Sequence, residues 1–368
     1  MSRPPFRADQ VGSLLRPAEL AQTRQRFKQG EIDAATLRAA EDRAIAEVVQ
    51  RQQAIGLKAV TDGEFRRDWW HLDFLAQLDG VLLRANEGEK FKVAGQGEQP
   101  PIASVTGRIG CSRPIMADHF RYLASVVGPG VVPKMTIPSP SMLHLRGGRA
   151  AISRQAYPEL DAFWDDVAAA YRAAIGHLYD AGCRYLQLDD ITFAYLCDPK
   201  IRANCVANGD DPDALPRRYA RTINDALRGR PADLAVTIHT CRGNFKSAWV
   251  AEGGYDPVVD AMFSTDVDGY FMEFDNARAG GFEPLRRLPA GKKVVLGLVT
   301  TKVGELESAD DLKRRIDEAA RIVPLPQLCL SPQCGFSSTH HGNALSVDDQ
   351  WRKLERVVQV AREVWGDA

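Results

Sequence analysis

The stretch Leu234-Ala235-Val236-Thr237-Ile238-His239-Thr240-Cys241-Arg242-Gly243-Asn244 decides the fold. A short apolar, β-branched run ends in an imidazole and a thiol, two residues apart, and then in a glycine-containing turn. Its nearly continuous apolar character suits a strand buried on both faces. Seven further runs have the same form: Ala8–Gly12, Leu57–Thr61, Pro133–Ile137, Tyr185–Leu188, Gly269–Phe274, Val294–Val299 and Leu328–Ser331. Long amphipathic stretches lie between most of them. Ala34–Ile55 and Tyr157–Ala181 repeat apolar residues near every 3.6 positions and stop at Gly56 and Gly182; Asp211–Leu227, Ala309–Ile322 and Val347–Trp365 behave alike. Eight strands alternating with helices predict an α/β protein of the (β/α)8 TIM barrel type.

Length agrees with one barrel. The 368 residues exceed the ~250 of a plain barrel, so a single catalytic barrel over 1–368 with insertions is expected. The stretch 81–111 is rich in Gly, Lys, Glu and Pro and reads as an inserted hairpin or lid after the second strand.

Composition narrows the function. Hydrophobic residues at 45% and charged residues at 26% exclude a disordered or fibrous chain. Forty-seven basic residues against 48 acidic, with no Lys/Arg block, argue against nucleic acid as partner. No apolar run approaches the ~18 residues of a membrane helix, so no membrane partner is expected. The N-terminal Met1-Ser2-Arg3-Pro4-Pro5-Phe6-Arg7 lacks the apolar stretch of a secretory signal, which places the protein in the cytoplasm. Seven cysteines, an odd number, make a disulfide framework unlikely there and direct attention to metal or thiol chemistry.

A barrel builds its active site at the C-terminal ends of its strands. The first run leads into Gly12-Ser13 and the second into Asp62-Gly63-Glu64. The fourth ends at Asp189-Asp190, the fifth at His239-Thr240-Cys241, the sixth at Glu273-Phe274-Asp275, the seventh at Thr300-Thr301-Lys302 and the eighth at Gln333-Cys334-Gly335. Carboxylates, imidazole and thiols thus collect at one end of consecutive strands. His239 and Cys241 share a side of an extended chain. With Glu273 and Cys334 they make a His, two Cys and a carboxylate, a set that can complete a tetrahedral Zn2+ shell. Against this, a lone His-x-Cys pair is a weak signal, and a buried free cysteine ordinarily packs as a small apolar residue. It is the four residues at matching strand ends that favour the metal. Cys183, Cys197, Cys205 and Cys329 have no such setting and read as packing or surface residues; Cys111 has no assignment. Lys302 reads equally well as a surface lysine. The plainer readings of the others are Asp62 or Glu64 as a helix-capping or surface acid, Asp189-Asp190 as a solvated loop end and Ser13 as a simple turn residue, each weaker than the functional one. His71, with Trp69 and Trp70, is open to a place lining the barrel mouth, though loop packing is the favoured reading of the tryptophans; His340-His341 reads as an unligated loop pair.

These residues carry a resemblance. Val11-Gly12-Ser13, Asp62-Gly63-Glu64-Phe65, Leu186-Gln187-Leu188-Asp189-Asp190, His239-Thr240-Cys241, Met272-Glu273 and Ser331-Pro332-Gln333-Cys334-Gly335 resemble the catalytic C-terminal barrel of the cobalamin-independent methionine synthase family. Its short single-barrel bacterial relatives are similar in Thr61-Asp62-Gly63-Glu64-Phe65-Arg66-Arg67 and Trp70-His71-Leu72-Asp73-Phe74. The resemblance implies zinc ligands at His239, Cys241, Glu273 and Cys334. It implies a homocysteine site at Gly12, Ser13, Glu64 and Asp189, whose carboxylates would hold the substrate ammonium. Glu273, Asp189 and Glu64 would act in catalysis: Glu273 as the ligand that yields to substrate, the other two by fixing the amino-acid end of the thiol. The implied reaction is zinc-dependent methyl transfer to a homocysteine-like thiol.

The donor is left open. The longer members have a second barrel that helps bind polyglutamylated folate, and this chain has no room for one. The family's proton-donating histidine after the seventh strand is replaced by Val299-Thr300-Thr301-Lys302-Val303-Gly304. The tryptophan it stacks on folate is missing near Thr136-Ile137-Pro138-Ser139. These departures weaken methyltetrahydrofolate as donor and leave a methylated corrinoid protein, a small methyl donor or an epoxide-type electrophile. One competing reading is addition of a thiol cofactor to an epoxide. Another is a metal-free lyase like the uroporphyrinogen decarboxylases, with Arg16, Arg66 and Arg67 holding substrate carboxylates.

Overall fold

The computed structural model describes residues 3–85 and 101–368. Ten strands are present among them: β1 (Ala59–Val60), β2 (Asp79–Arg84), β3 (Ile102–Gly110), β4 (Val132–Pro133), β5 (Met135–Pro138), β6 (Tyr185–Asp190), β7 (Ala235–Thr240), β8 (Gly269–Glu273), β9 (Lys293–Val299) and β10 (Leu328–Pro332). Strands β5 to β10 form one parallel sheet in chain order, and β1 pairs in parallel with β4. β4 continues into β5 through Lys134, whose N–H donates to Val60 at 2.8 Å. At the other side Ala8 bridges in parallel to Leu330, with the Asp9 N–H on the Leu330 carbonyl at 3.0 Å and the Leu330 N–H on that of Arg7 at 2.8 Å.

The ring therefore closes into the expected (β/α)8 barrel, but its first staves are short. The run predicted over Ala8–Gly12 is only a bridge at Ala8, and β1 is two residues long. Side chains bind these staves together. Thr61 Oγ1 donates to the Gly12 carbonyl at 2.6 Å, and Gln10 Nε2 donates to Gln52 Oε1 and Thr61 Oγ1. Polar groups take over where ladder bonds are few, because a buried backbone group without a partner costs about as much as a lost hydrogen bond.

The predicted helices appear as Ala34–Ala54, Leu160–Asp180, Leu215–Leu227, Ala309–Ala320 and Val347–Trp365. Three start on side-chain caps that satisfy orphan N–H groups: Asp33 accepts from the Thr36 N–H, Ser308 from the Asp311 N–H, and Ser346 forms a capping box with Asp349. Each lays an apolar face on the sheet; Leu160–Asp180 buries Phe163, Val167, Tyr171, Ala174 and Leu178. Removing one such aliphatic or aromatic side chain would cost about 2–5 kcal/mol. Ala18–Lys28, Ala117–Val126 and Pro199–Ala207 are further helices that the periodicity did not reveal. Ala18–Lys28 buries only Leu20, so it has almost no apolar stripe to read.

The inserted hairpin is present. β2 and β3 pair antiparallel, with Val81 opposite Val105 and Arg84 opposite Ile102. Residues 86–100 of the predicted insertion lie outside the described residues. Among those described, no helix is long and apolar enough to cross a membrane.

The barrel interior is polar as well as apolar. Lys134 is fully buried, 3.1 Å from Asp9 Oδ1 and 2.6 Å from the Gln10 carbonyl, with its ammonium over the Phe271 and Tyr185 rings. Burial lowers its pKa, and the Asp9 carboxylate opposes that shift. Thr136, two residues on, reaches the site described next.

Candidate metal centre

Strand register brings the centre together. Asp189 of β6 lies opposite His239 of β7, and Glu273 closes β8 opposite Gly297. Cys241 follows β7, held by its N–H on the Asp190 carbonyl at 2.7 Å. Cys334 follows the register shift at Ser331/Pro332 in β10, which turns the chain inward. One ligand-type atom from each of His239, Cys241, Glu273 and Cys334 lies within 4.8 Å of all the others, and all four residues are buried.

The local bonds of each are specific. The two sulfurs are 3.5 Å apart, and both cysteines are free. Glu273 Oε1 accepts from the Arg242 N–H at 2.8 Å, and Oε2 from Arg278 Nη2 at 2.9 Å. His239 Nδ1 donates to Asp189 Oδ1 at 3.2 Å, since an ionised carboxylate can only accept. That leaves Nε2 as the nitrogen that would turn a lone pair to a metal, and Nε2 is buried without a hydrogen-bond partner. Two soft sulfurs, an orphaned imidazole nitrogen and a buried carboxylate are the donor set that suits Zn2+, so the residues present fit that ion.

The electrostatics match a cation site. The hydrogen bond from Cys241 holds the Cys334 thiol well below the ordinary thiol range, against burial and with help from His239. The same bond, then burial, pushes Cys241 well up. Burial, then Cys334, raises the Glu273 carboxyl. Burial pulls the His239 imidazolium down, but Asp189 and Cys334 outweigh it and bring it to about 10. The four groups therefore perturb one another strongly, with Cys334 favoured as thiolate and His239 as imidazolium when no cation stands between them.

Glu64 and Asp189 line the same cavity as His239, Cys241 and Cys334, with Ser13 beside them; the cavity measures about 690 Å³, counting space open to solvent. Glu64 Oε1 accepts from Thr136 Oγ1 at 2.8 Å, and Oε2 is buried without a partner. Burial raises the Glu64 carboxyl to about 7, with Arg67 opposing and Asp189 adding to the rise. Glu64 also sits at φ 61°, a left-handed conformation uncommon for a residue with a Cβ, as strained backbone at functional sites often is. Gly12 has φ 147°, and a Cβ there would lie 2.8 Å from Thr136 Cγ2 and 3.3 Å from Glu64 Oε1. A side chain at Gly12 would therefore displace the carboxylate.

Other readings resolve differently. Lys302 is buried, not at the surface; its Nζ donates to Asn244 Oδ1 at 3.2 Å and to the Ala248 carbonyl at 3.3 Å. Asp62 and Asp190 are structural turns: Asp62 Oδ1 accepts from the Glu64 N–H, and Asp190 Oδ1 from the Phe193 N–H. Trp69, Trp70 and His71 line the cavity, the less favoured of the two readings of this stretch. His340 and His341 pack against Trp69. The arginines of the lyase reading are committed elsewhere. Arg16 donates to the carbonyls of Ser337, Thr339, Glu64 and Arg67, Arg66 pairs with Glu41 and Asp42, and Arg67 donates to the Thr136 carbonyl. The arginine in the cavity is Arg146, which strand-end reasoning missed because it follows a short 3-10 turn, Pro140–Leu143.

A parallel barrel with a buried His/Cys/Glu/Cys cluster at its C-terminal rim defines a barrel protein with a thiolate-rich candidate metal site. The chain belongs to the family described as cobalamin-independent synthase, catalytic domain, whose model matches residues 6–363. It is 49% identical to the uncharacterized protein YxjG of Bacillus subtilis, across 99% of this chain and 96% of that protein. A solved structure from Listeria monocytogenes, provisionally named a vitamin-B12 independent methionine synthase, is 40% identical over all of both chains with a TM-score of 0.80. The 5-methyltetrahydropteroyltriglutamate–homocysteine methyltransferase of Mycobacterium leprae is 21% identical over 98% of this chain, which spans 43% of that protein. A B12-independent methionine synthase from Shewanella, solved with selenomethionine, shares the fold at a TM-score of 0.73 and 18% identity, covering 97% of each chain.

Proposed function

We propose that this chain is a zinc-dependent methyltransferase that alkylates the sulfur of a homocysteine-like amino-acid thiol. The observation that carries the reading is the convergence of His239, Cys241, Glu273 and Cys334 within 4.8 Å beside two carboxylates in one cavity. Membership of the family and the methyltransferase from Mycobacterium leprae support the same chemistry. Zn2+ held by these four residues would keep an incoming thiol deprotonated near neutral pH, because a coordinated thiol loses its proton.

The protein's own groups do the rest. The Glu64 carboxylate, whose Oε2 is buried without a partner, and the Asp189 carboxylate line the cavity as acceptors for the substrate ammonium, and pairing with that charge offsets the burial that raises Glu64. Fixing the amino-acid end aligns the sulfur for attack, a proximity effect. Arg278 shares the charge of Glu273, which makes this carboxylate the weakest donor of the four and the one to yield to substrate. Trp69, Trp70 and Phe245 form an aromatic wall that excludes water. The reaction is an in-line displacement. The sulfur lone pair forms the new S–C bond while the bond from that carbon to the donor breaks, its electron pair leaving with the donor.

Nothing in the cavity or the relatives favours a corrinoid protein as donor, and we read the donor as a small molecule. We read the chain as one barrel over 1–368 with 81–111 as its insertion, working in the cytoplasm, where seven unpaired cysteines stay reduced. Thiol addition to an epoxide would use the same sulfur chemistry. The test is a screen of homocysteine against methyltetrahydrofolate, methylcobalamin and S-methyl donors, reading loss of free thiol and formation of methionine. Turnover at ~1 s⁻¹ or faster with any donor is expected of a dedicated enzyme. Methionine formation no faster with the zinc-loaded protein than without it, for every donor, would contradict the reading.

A further inference from the structure

The cavity lining carries groups of opposite character. Glu64, Asp189 and the two cysteines are acidic groups; Arg146, His71 and Tyr195 are hydrogen-bond donors or acceptors of a different kind. Arg146 Nη1 donates to His71 Nε2 at 3.1 Å. His71 is therefore neutral with its hydrogen on Nδ1. Burial, then Arg146, holds its pKa well below the ordinary range, which agrees with that state.

The pair has unused donors. His71 Nδ1 and Arg146 Nε are both buried and without a partner. No carboxylate pairs with Arg146 among the described residues, and its charged neighbourhood consists of Tyr195 and Cys241. Three other buried arginines around the barrel mouth have acceptors: Arg66 has Glu41 and Asp42, Arg278 has Glu273 and Asp275, and Arg16 has five. Arg242 also has buried guanidinium nitrogens without a partner, but it lies over the Tyr255 ring at 4.5 Å and does not line the cavity. A guanidinium sunk in a cavity without a counter-charge is costly, unless the charge comes with a ligand.

We propose that Arg146, positioned by His71, is the oxyanion-recognition group of the cavity and binds a carboxylate carried by a substrate. The guanidinium fork suits a carboxylate, and Arg146 lines the same cavity as Cys241 and Cys334, so an anion bound there shares the cavity with the sulfur cluster. The inference rests on the alkyl-transfer reading of the cavity. It adds the side chain that holds a substrate carboxylate. The acid that carries it is either the amino-acid thiol, through its α-carboxylate, or an acidic methyl donor. Strand ends supply no such group, which is why the sequence motifs do not announce it.

Trp69 and Trp70 line the cavity, so tryptophan fluorescence of the zinc-loaded protein reports binding directly. The titrants are methionine, its decarboxylated analogue 3-(methylthio)propylamine, and succinate. Arg146→Met keeps the length of the stem and removes the charge. It is expected to weaken at least one carboxylate probe by ~10–100-fold, the worth of a charge-assisted hydrogen-bond pair, with Arg146→Lys recovering part of the loss. Weaker methionine with unchanged amine assigns Arg146 to the acceptor; unchanged methionine with weaker succinate assigns it to the donor. His71→Gln, which still offers an acceptor to Nη1, should keep the affinity that His71→Leu loses. If methionine and succinate titrate Arg146→Met as they do the wild type, the proposal is overturned. Zinc content is measured on the same samples, so a failed metal site is distinguished from a failed anion site.

Discussion

Asp189 Oδ1 accepts the Nδ1 hydrogen of His239 across 3.2 Å, between directly paired residues of β6 and β7. The bond fixes which imidazole nitrogen faces the cluster. It also joins the residue expected to hold substrate to a residue expected to hold metal. Gln187 Nε2 donates to the same oxygen at 2.6 Å, so the carboxylate is itself braced. Metal-bound histidines commonly carry such a partner, and losing it costs ~10–100-fold in metal affinity.

Asp189→Asn should therefore weaken zinc binding by ~10–100-fold and also raise KM for the thiol, since one carboxylate serves both ends. Competition with a chromophoric chelator measures the first effect and initial rates the second. Unchanged zinc affinity would show that the Asp189–His239 contact does not orient the ligand.

Glu64 gives a pH prediction with a definite sign. Its folded pKa is raised, to about 7, from an ordinary value of 4.5. The folded state then binds more protons than the unfolded one between these values, so wild-type stability falls as pH rises through that window and levels off above it. Glu64→Gln keeps an acceptor for Thr136 and removes the ionisation. Its melting temperature should exceed that of the wild type at pH 8, by about 2 °C or more, and the gap should close toward pH 4.5. A gap that widens toward low pH would reverse the assignment. The same variant should raise KM for the thiol, having lost an acceptor charge for the ammonium.

Lys302 ties the turn after β7 to the seventh stave through Asn244 Oδ1 and the carbonyls of Gly243 and Ala248. Lys302→Met preserves the stem and leaves these buried acceptors short of a donor. Urea unfolding should show a loss of about 2–4 kcal/mol. A loss under about 0.5 kcal/mol would mean that water replaces the ammonium without penalty.

The barrel and its sulfur cluster were legible because each functional residue stands at the end of an apolar run, as His239 near the end of β7 with Cys241 just after it, and Glu273 at the end of β8. The first staves were less so: at Ala8 and β1 side-chain bonds replace a ladder, and no alternation marks them. The double engagement of Asp189 needed register, which pairs it with a histidine fifty positions away. Lys302 was ambiguous because a lysine buries only where carbonyls surround it, and those come from a distant turn. Arg146 and His71 lie on loops with no periodic signal, and only the cavity brings them together.

The most direct measurement is metal content by elemental analysis, after zinc loading and dialysis against a weak chelator. Wild type should hold about one zinc per chain, while Cys241→Ser and Cys334→Ser, each short of a thiolate, should hold almost none under the same conditions. A wild type that emerges without zinc, or serine variants that keep it as firmly as wild type, would contradict the account.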